Sequence, residues 1–212
     1  DHRRQGGDDR FALFLHLFLQ RRGHHRADGF GEFVRVGARA FGQSADHDAI
    51  GELARSEGLF VLDDAAQAFG ATYHARKLGT LADATTTSFF PTKPLGCYGD
   101  GGAIFTDNDD LANTLRSIRV HGQGSDKYDN IRLGMTGRLD TIQAAVLLEK
   151  LKIFEDEIAA RNGIAARYAQ SLGNFVTVPQ LAPGRTSVWA LYTIRLPQGV
   201  DLGMRAAAVL GT

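Results

Sequence analysis

The run S-F-F-P-T-K-P-L-G-C-Y-G-D-G-G, residues 88–102, decides how this chain is read. Lys93 is the only charged residue between Asp83 and Asp100, and it stands among Phe89, Phe90, Pro91, Pro94 and Leu95 with glycines behind it. Loss of water disfavours the charged form of a lysine. An amine in this setting is therefore expected to be available as a neutral nucleophile, which carbonyl and Schiff-base chemistry requires. Taken alone, the plainer reading is a lysine snorkelling out of a turn; the residues around it decide against that.

Working outward, the run is bracketed by short apolar strands. Thr85–Phe90 is β-branched and aromatic, and Ala103–Thr106 follows the glycines. Upstream, Leu59–Leu62 is an apolar run of strand length that closes on Asp63 and Asp64. Before it, Asp46 or Asp48 is placed to cap a helix carrying Ile50, Leu53 and Ala54 and ended by Gly58. Downstream, Thr106 or Asp107 is expected to cap a helix with Leu111, Leu115 and Ile118 on one face, stopping near Gly122. Leu139, Ile142, Val146 and Ile153 share one face of a long helix starting near Asp140. A second helical stretch runs from Glu155 to Leu172. Val188–Leu196 reads as a strand, and Asp201 opens a further helix. Strands alternating with helices predict an α/β fold: a three-layer αβα sandwich with helices on both faces of a mostly parallel sheet. Gly173–Arg185 is the expected boundary to a second, incomplete domain.

Asp64 stands where a buried strand ends, and ligands in open α/β sheets bind at the carboxyl ends of strands. D-A-A-Q-A-F-G, residues 64–70, sets an amide, Gln67, three residues after the carboxylate. Ser88 ends the next strand, and Lys93 lies five residues further. Singly, Asp64 is a turn former, Ser88 an ordinary strand residue, and Gly99, Gly101 and Gly102 the parts of a hairpin. Together, a carboxylate, an amide, a hydroxyl and an amine at adjacent strand ends are what pyridoxal phosphate needs. The amine condenses with the aldehyde, the carboxylate keeps the ring nitrogen protonated, and hydroxyl and backbone N–H groups receive the phosphate.

Four stretches carry a resemblance to a known family: F-G-Q-S-A-D-H-D-A-I (41–50), V-L-D-D-A-A-Q-A-F-G-A (61–71), S-F-F-P-T-K-P-L-G-C-Y-G-D-G-G-A (88–103) and G-R-L-D-T-I-Q-A-A-V-L (137–147). Through them residues 37–172 resemble the nucleotide-sugar aminotransferases of the DegT/DnrJ type, which have the fold type I pyridoxal phosphate architecture. The resemblance implies that Lys93 forms the internal aldimine, Asp64 pairs with the pyridinium nitrogen, Gln67 lies beside the ring and Ser88 contacts the phosphate. It also implies transfer of an amino group from an amino acid, glutamate, to a nucleotide-linked keto-sugar. Relatives with histidine at the lysine position are dehydratases, so Lys93 favours transamination. The form of the 88–102 run resembles members acting at C3 rather than C4. A homodimer is implied as well, with Thr136 and Arg138 as contacts to the partner subunit.

The chain departs from the family pattern at both ends. Residues 1–36 match neither its glycine–threonine phosphate-binding helix start nor its ring-stacking aromatic, and Thr136 stands where many members carry asparagine. Residues 1–33 lack Val, Ile, Lys, Ser, Thr and Pro altogether, yet hold four of the seven histidines. Either a shifted reading frame or a loosely packed tail accounts for that. Residues 173–212 are expected to be the start of a shortened small domain. The alternative function is thus a non-catalytic fragment of such an enzyme that binds the cofactor weakly.

Composition excludes other classes. A net charge of zero over 212 residues argues against nucleic acid and anionic membranes as partners. Phe11–Leu19, the apolar stretch near the start, is too short to span a bilayer. A single cysteine, Cys97, excludes an internal disulfide and fits a reducing, cytoplasmic setting. No metal is expected.

Overall fold

A computed structural model describes residues 18–19, 33–37 and 41–197, the first two segments as backbone only. Its main sheet has the order β1 (Phe18–Leu19), β2 (Phe33–Gly37), β3 (Phe60–Asp64), β6 (Ala84–Ser88), β7 (Gly102–Phe105). A separate hairpin pairs β4 (Thr72–Tyr73) with β5 (Arg76–Lys77). The helices are α1 (His47–Glu57), α2 (Asp109–Arg119), α3 (Thr141–Leu151) and α4 (Phe154–Leu172).

Strands and helices alternate as expected, but the sheet is mixed rather than mostly parallel. β2–β3 and β3–β6 are parallel, whereas β1–β2 and β6–β7 are antiparallel. The run between β6 and β7 is long enough to turn the chain back on itself, so Ser88 pairs with Gly102 and Lys93 rides on the closed loop between them. The expectation of helices on both faces is narrowed too. Val61, Asp63, Thr85 and Phe105 share one sheet face by register and alternation. α1 covers Val61 with Ile50 and Ala54, joined by Ala45 just before the helix. Phe69 stacks between Phe105 and Phe154, which brings α4 to the same face. On the opposite face Leu62, Asp64 and Thr86 are half-buried and Ile104 is exposed.

α1 forms where the sequence placed it. Asp46 is the N-cap, accepting from the Ala49 N–H at 3.2 Å, and Gly58 closes the helix in the left-handed conformation. Leu53, assigned to its apolar face, is exposed. α2 starts later than expected: Asn108 is its cap, bonding the Leu111 N–H at 2.9 Å. The Thr106 hydroxyl is committed elsewhere, donating to the Asp83 carbonyl and accepting from the Asn108 N–H.

The two helical stretches expected from Asp140 to Ile153 and from Glu155 to Leu172 form as α3 and α4, parted at Lys152–Ile153. Ile142 and Ile153 are exposed, and only Leu147 of α3 is buried. Three acids, Glu155, Asp156 and Glu157, occupy the first turn of α4, where the helix dipole favours negative charge. That cluster marks the second start.

The expected strand Val188–Leu196 does not form. Val188 is fully buried among Ala65, Ala68, Ala71 and Leu78, and its N–H bonds the Gly42 carbonyl. Trp189 then takes φ 49°, which no strand tolerates, and its indole N–H donates to Asn162 Oδ1 of α4 at 2.9 Å. The backbone passes so close to Gly42 that a Cβ there would meet the Trp189 nitrogen at 2.7 Å. The helix expected from Asp201, and most of residues 1–36, lie outside the described residues. Among the described residues no helix is long and apolar enough to cross a membrane.

Candidate functional site

Three sheet features set the site. Parallel pairing of β3 with β6 brings Asp64 beside Thr86, and two residues further along the same face stands Ser88. After Asp64 the chain leaves the sheet in tight turns, with Ala68 N–H bonded to the Ala65 carbonyl and Ala71 N–H to that of Ala68. These turns carry Gln67. After Ser88 the loop Phe89–Gly101 carries Lys93 back toward them.

The loop is held at many points. Phe89 N–H bonds the Gly101 carbonyl and Cys97 N–H bonds that of Phe89, both at 2.8 Å. The Cys97 thiol, 1% exposed, lies 3.0 Å from the Phe89 carbonyl and 3.1 Å from that of Gly99. Tyr98 N–H donates to Gln143 Oε1 of α3 at 2.8 Å, and Arg161 of α4 donates to the Pro94 carbonyl at 3.2 Å. Gly96 passes under the start of the loop, where a Cβ would come within 2.7 Å of the Phe90 and Pro91 carbonyl oxygens. Phe89, Leu95 and Cys97 seal the underside against Leu147 and Phe154.

Lys93 is half-buried, and its Nζ donates to Gln67 Oε1 at 3.1 Å. Asp64 Oδ1 accepts from the Ala66 N–H at 3.1 Å, which aligns the carboxylate at the first turn after β3. Ser88 Oγ accepts from the Phe90 N–H at 3.2 Å, opening the lysine loop. The structure thus joins Lys93 to Gln67 directly and sets Asp64 and Ser88 on the neighbouring strand ends. Thr136 and Arg138 stand apart from this group, both exposed, just before α3. Thr136 forms a bridge with Val120 at the foot of the segment between α2 and α3, where Tyr128, Leu133 and Met135 are exposed.

Sequence reasoning passed over Gln143 and Arg161, which hold the loop from two helices. Gln143 lies within the G-R-L-D-T-I-Q run, but its role needs α3 to cross behind Tyr98. Two surface clefts lie elsewhere: one beside α2 and the segment after it, lined by Asp110, Ser117 and Arg132, and one lined by Arg161, Tyr168, Trp189 and Tyr192.

The sequence profile of the DegT/DnrJ/EryC1/StrS aminotransferase family matches residues 36–209. The UDP-2-acetamido-2-deoxy-3-oxo-D-glucuronate aminotransferase of Pseudomonas aeruginosa is 49% identical over 172 residues, which are 80% of this chain and 48% of that protein. The crystal structure of a DegT DnrJ EryC1 StrS aminotransferase from Brucella abortus is 47% identical with a TM-score of 0.77, over 84% of this chain and 47% of the other. The structure of ntda from Bacillus subtilis with bound cofactor PMP is 32% identical with a TM-score of 0.70, over 78% of this chain and 38% of that one. The chain spans about half the length of the curated relatives it matches.

Proposed function

The chain belongs to the DegT/DnrJ/EryC1/StrS aminotransferase family, and on that premise we propose that the protein transfers an amino group from glutamate to C3 of a nucleotide-linked keto-sugar. The observation that carries the reading is the 3.1 Å bond from Lys93 Nζ to Gln67 Oε1, made by a loop whose two ends are locked in one ladder. The similarity to the Pseudomonas aeruginosa enzyme, whose name specifies a 3-oxo sugar, supports C3.

The residues present fit pyridoxal 5′-phosphate: an amine, an amide, a carboxylate and a hydroxyl converge on two adjacent strand ends. When bound, that cofactor supplies an aldehyde that condenses with amines and a ring that accepts an electron pair. Lys93 Nζ would hold it and move a proton between the two carbons on either side of the transferred nitrogen. Asp64 would keep the ring nitrogen protonated, Gln67 would fix the ring's edge, and Ser88 would receive the phosphate. A second copy of the protein would contribute through Thr136 and Arg138.

The test is Lys93→Ala in the purified protein, assayed with glutamate and a UDP-linked 3-keto sugar. Turnover is expected to vanish while the melting temperature stays put, because the Lys93 side chain makes one hydrogen bond and is only half-buried. Undiminished turnover in the variant would remove Lys93 from the chemistry. Asp64→Asn is expected to depress turnover with little effect on folding.

A further inference from the structure

Behind Asp64, on the helix-covered face of the sheet, lies a group of polar side chains that the proposed activity does not use. Asp63 is 0% exposed and His47 of α1 is 5% exposed. The His47 Nε2 stands 3.8 Å from Asp63 Oδ2, beyond hydrogen-bond distance. Among the described residues neither Asp63 oxygen has a hydrogen-bond partner, nor does His47 Nε2, and the same holds for Thr85 Oγ1, the cross-strand neighbour of Asp63, and for Thr87 Oγ1. A buried carboxylate ion requires donors or a close cation to offset lost water, and none is supplied here.

We propose that His47 and Asp63 form a buried pair in which both members are neutral, so that the proton His47 carries in the unfolded chain is held by Asp63 in the folded one. The surroundings favour this on both sides. Burial pushes Asp63 up to about 7, with the neighbouring Asp64 carboxylate adding to the rise. Burial lowers His47 to about 4, helped by the Arg76 and Arg185 guanidinium groups and opposed by Asp48 and Asp46. The His47 ring also packs edge-on against Tyr73.

The pair has a recognisable thermodynamic signature. Alone, Asp63 binds a proton in the folded state that the unfolded chain lacks, so its contribution is full below 3.8 and is lost as pH rises through about 7. His47 alone does the opposite. Between about 6.5 and 4 the unfolded chain takes up a proton that the folded one refuses, so stability is lost as pH falls. Together the two slopes cancel across about 4 to 6.5, because folding moves one proton and neither takes up nor releases any. The proton on Asp63 also removes a like charge from beside Asp64. The inference stands apart from the proposed activity and needs no cofactor.

The experiment combines nitrogen-15 spectra of the histidine rings with urea unfolding of wild type, Asp63→Asn and His47→Gln across that pH range. One of the seven imidazoles is expected to stay neutral down to a pH of about 4; a full set of imidazolium signals at the middle of the range would overturn the proposal. Relative to wild type, Asp63→Asn should lose stability as pH falls and His47→Gln as pH rises, each by up to roughly tenfold in the folding constant per pH unit. Asp46 and Asp48 contribute equally to all three proteins and drop out of the differences. Differences that do not change with pH would overturn it. If a variant does not fold, wild type alone serves: its infrared spectrum should hold a protonated-carboxyl band that disappears as pH rises through about 7, and the absence of that band counts against the pair.

Discussion

Lys93 Nζ and Gln67 Oε1 lie 3.1 Å apart although 26 residues of chain separate them, because the β3–β6 and β6–β7 pairings fold both carrier segments over the same strand ends. A neutral amide at that spot accepts a hydrogen bond from the amine without fixing a charge on it.

Gln67→Glu tests that distinction. A carboxylate beside the amine favours its charged, non-nucleophilic form. Condensation with pyridoxal phosphate, followed by rapid-mixing absorbance, is expected to slow on the order of tenfold. Gln67→Ala, which removes the acceptor without adding charge, should slow it far less.

Gly96→Ala is expected to destabilise the protein by about 1–3 kcal/mol, the usual cost of forcing extra volume into a packed place. The obstruction is backbone, the Phe90 and Pro91 carbonyls, so it cannot rotate away. Denaturant unfolding measures the loss, and the lysine loop should bind cofactor more weakly in the same variant.

Asp46→Ala removes a helix cap that also serves two other segments. Asp46 accepts from the Tyr73 hydroxyl at 2.9 Å and from Arg185 at 3.1 Å. Cap loss costs about 1 kcal/mol, and the half-exposed ion pair adds less than about 1 kcal/mol after solvent screening. The Ala49 N–H, the Tyr73 hydroxyl and Arg185 hold the Asp46 carboxyl below its ordinary 3.8. Its contribution is therefore present above 3.8 and is lost as pH falls through the lowered value. Unfolding at neutral and acid pH should show the Asp46→Ala penalty shrinking toward the acid end.

Cys97, the single cysteine, is 1% exposed. Native protein is expected to resist a thiol reagent and to react once with it after unfolding. Modification at native rates comparable to those of the unfolded chain would show the lysine loop opening from its base.

Local signals in the sequence were strong where a single residue type sets the outcome. Asp46 and Gly58 bound α1 because a side-chain acceptor and a left-handed φ are needed at those two positions. The pairing of β6 with β7 was hinted at by Gly101 and Gly102. The break between α3 and α4 was legible, but the face of α3 was not: Ile142 and Ile153 fit the apolar spacing and are exposed, because spacing does not say which stripe finds a partner. Val188–Leu196 misled for a different reason. Val188 packs against the turns after β3 and Trp189 bonds α4, while Leu191 and Ile194 are exposed, so a tertiary arrangement imitates strand composition. At the site, residue types pointed to Lys93, Asp64, Gln67 and Ser88. The supports from Gln143 and Arg161 depend on helix placement, which spacing does not encode.

Arg161 and Asn162 are consecutive on α4, yet one grips the Pro94 carbonyl beside Lys93 and the other holds the Trp189 indole. The helix therefore works as a crossbar between two segments that do not otherwise need to know of each other. Loss of either bond would free one of those segments from α4 and leave the other attached.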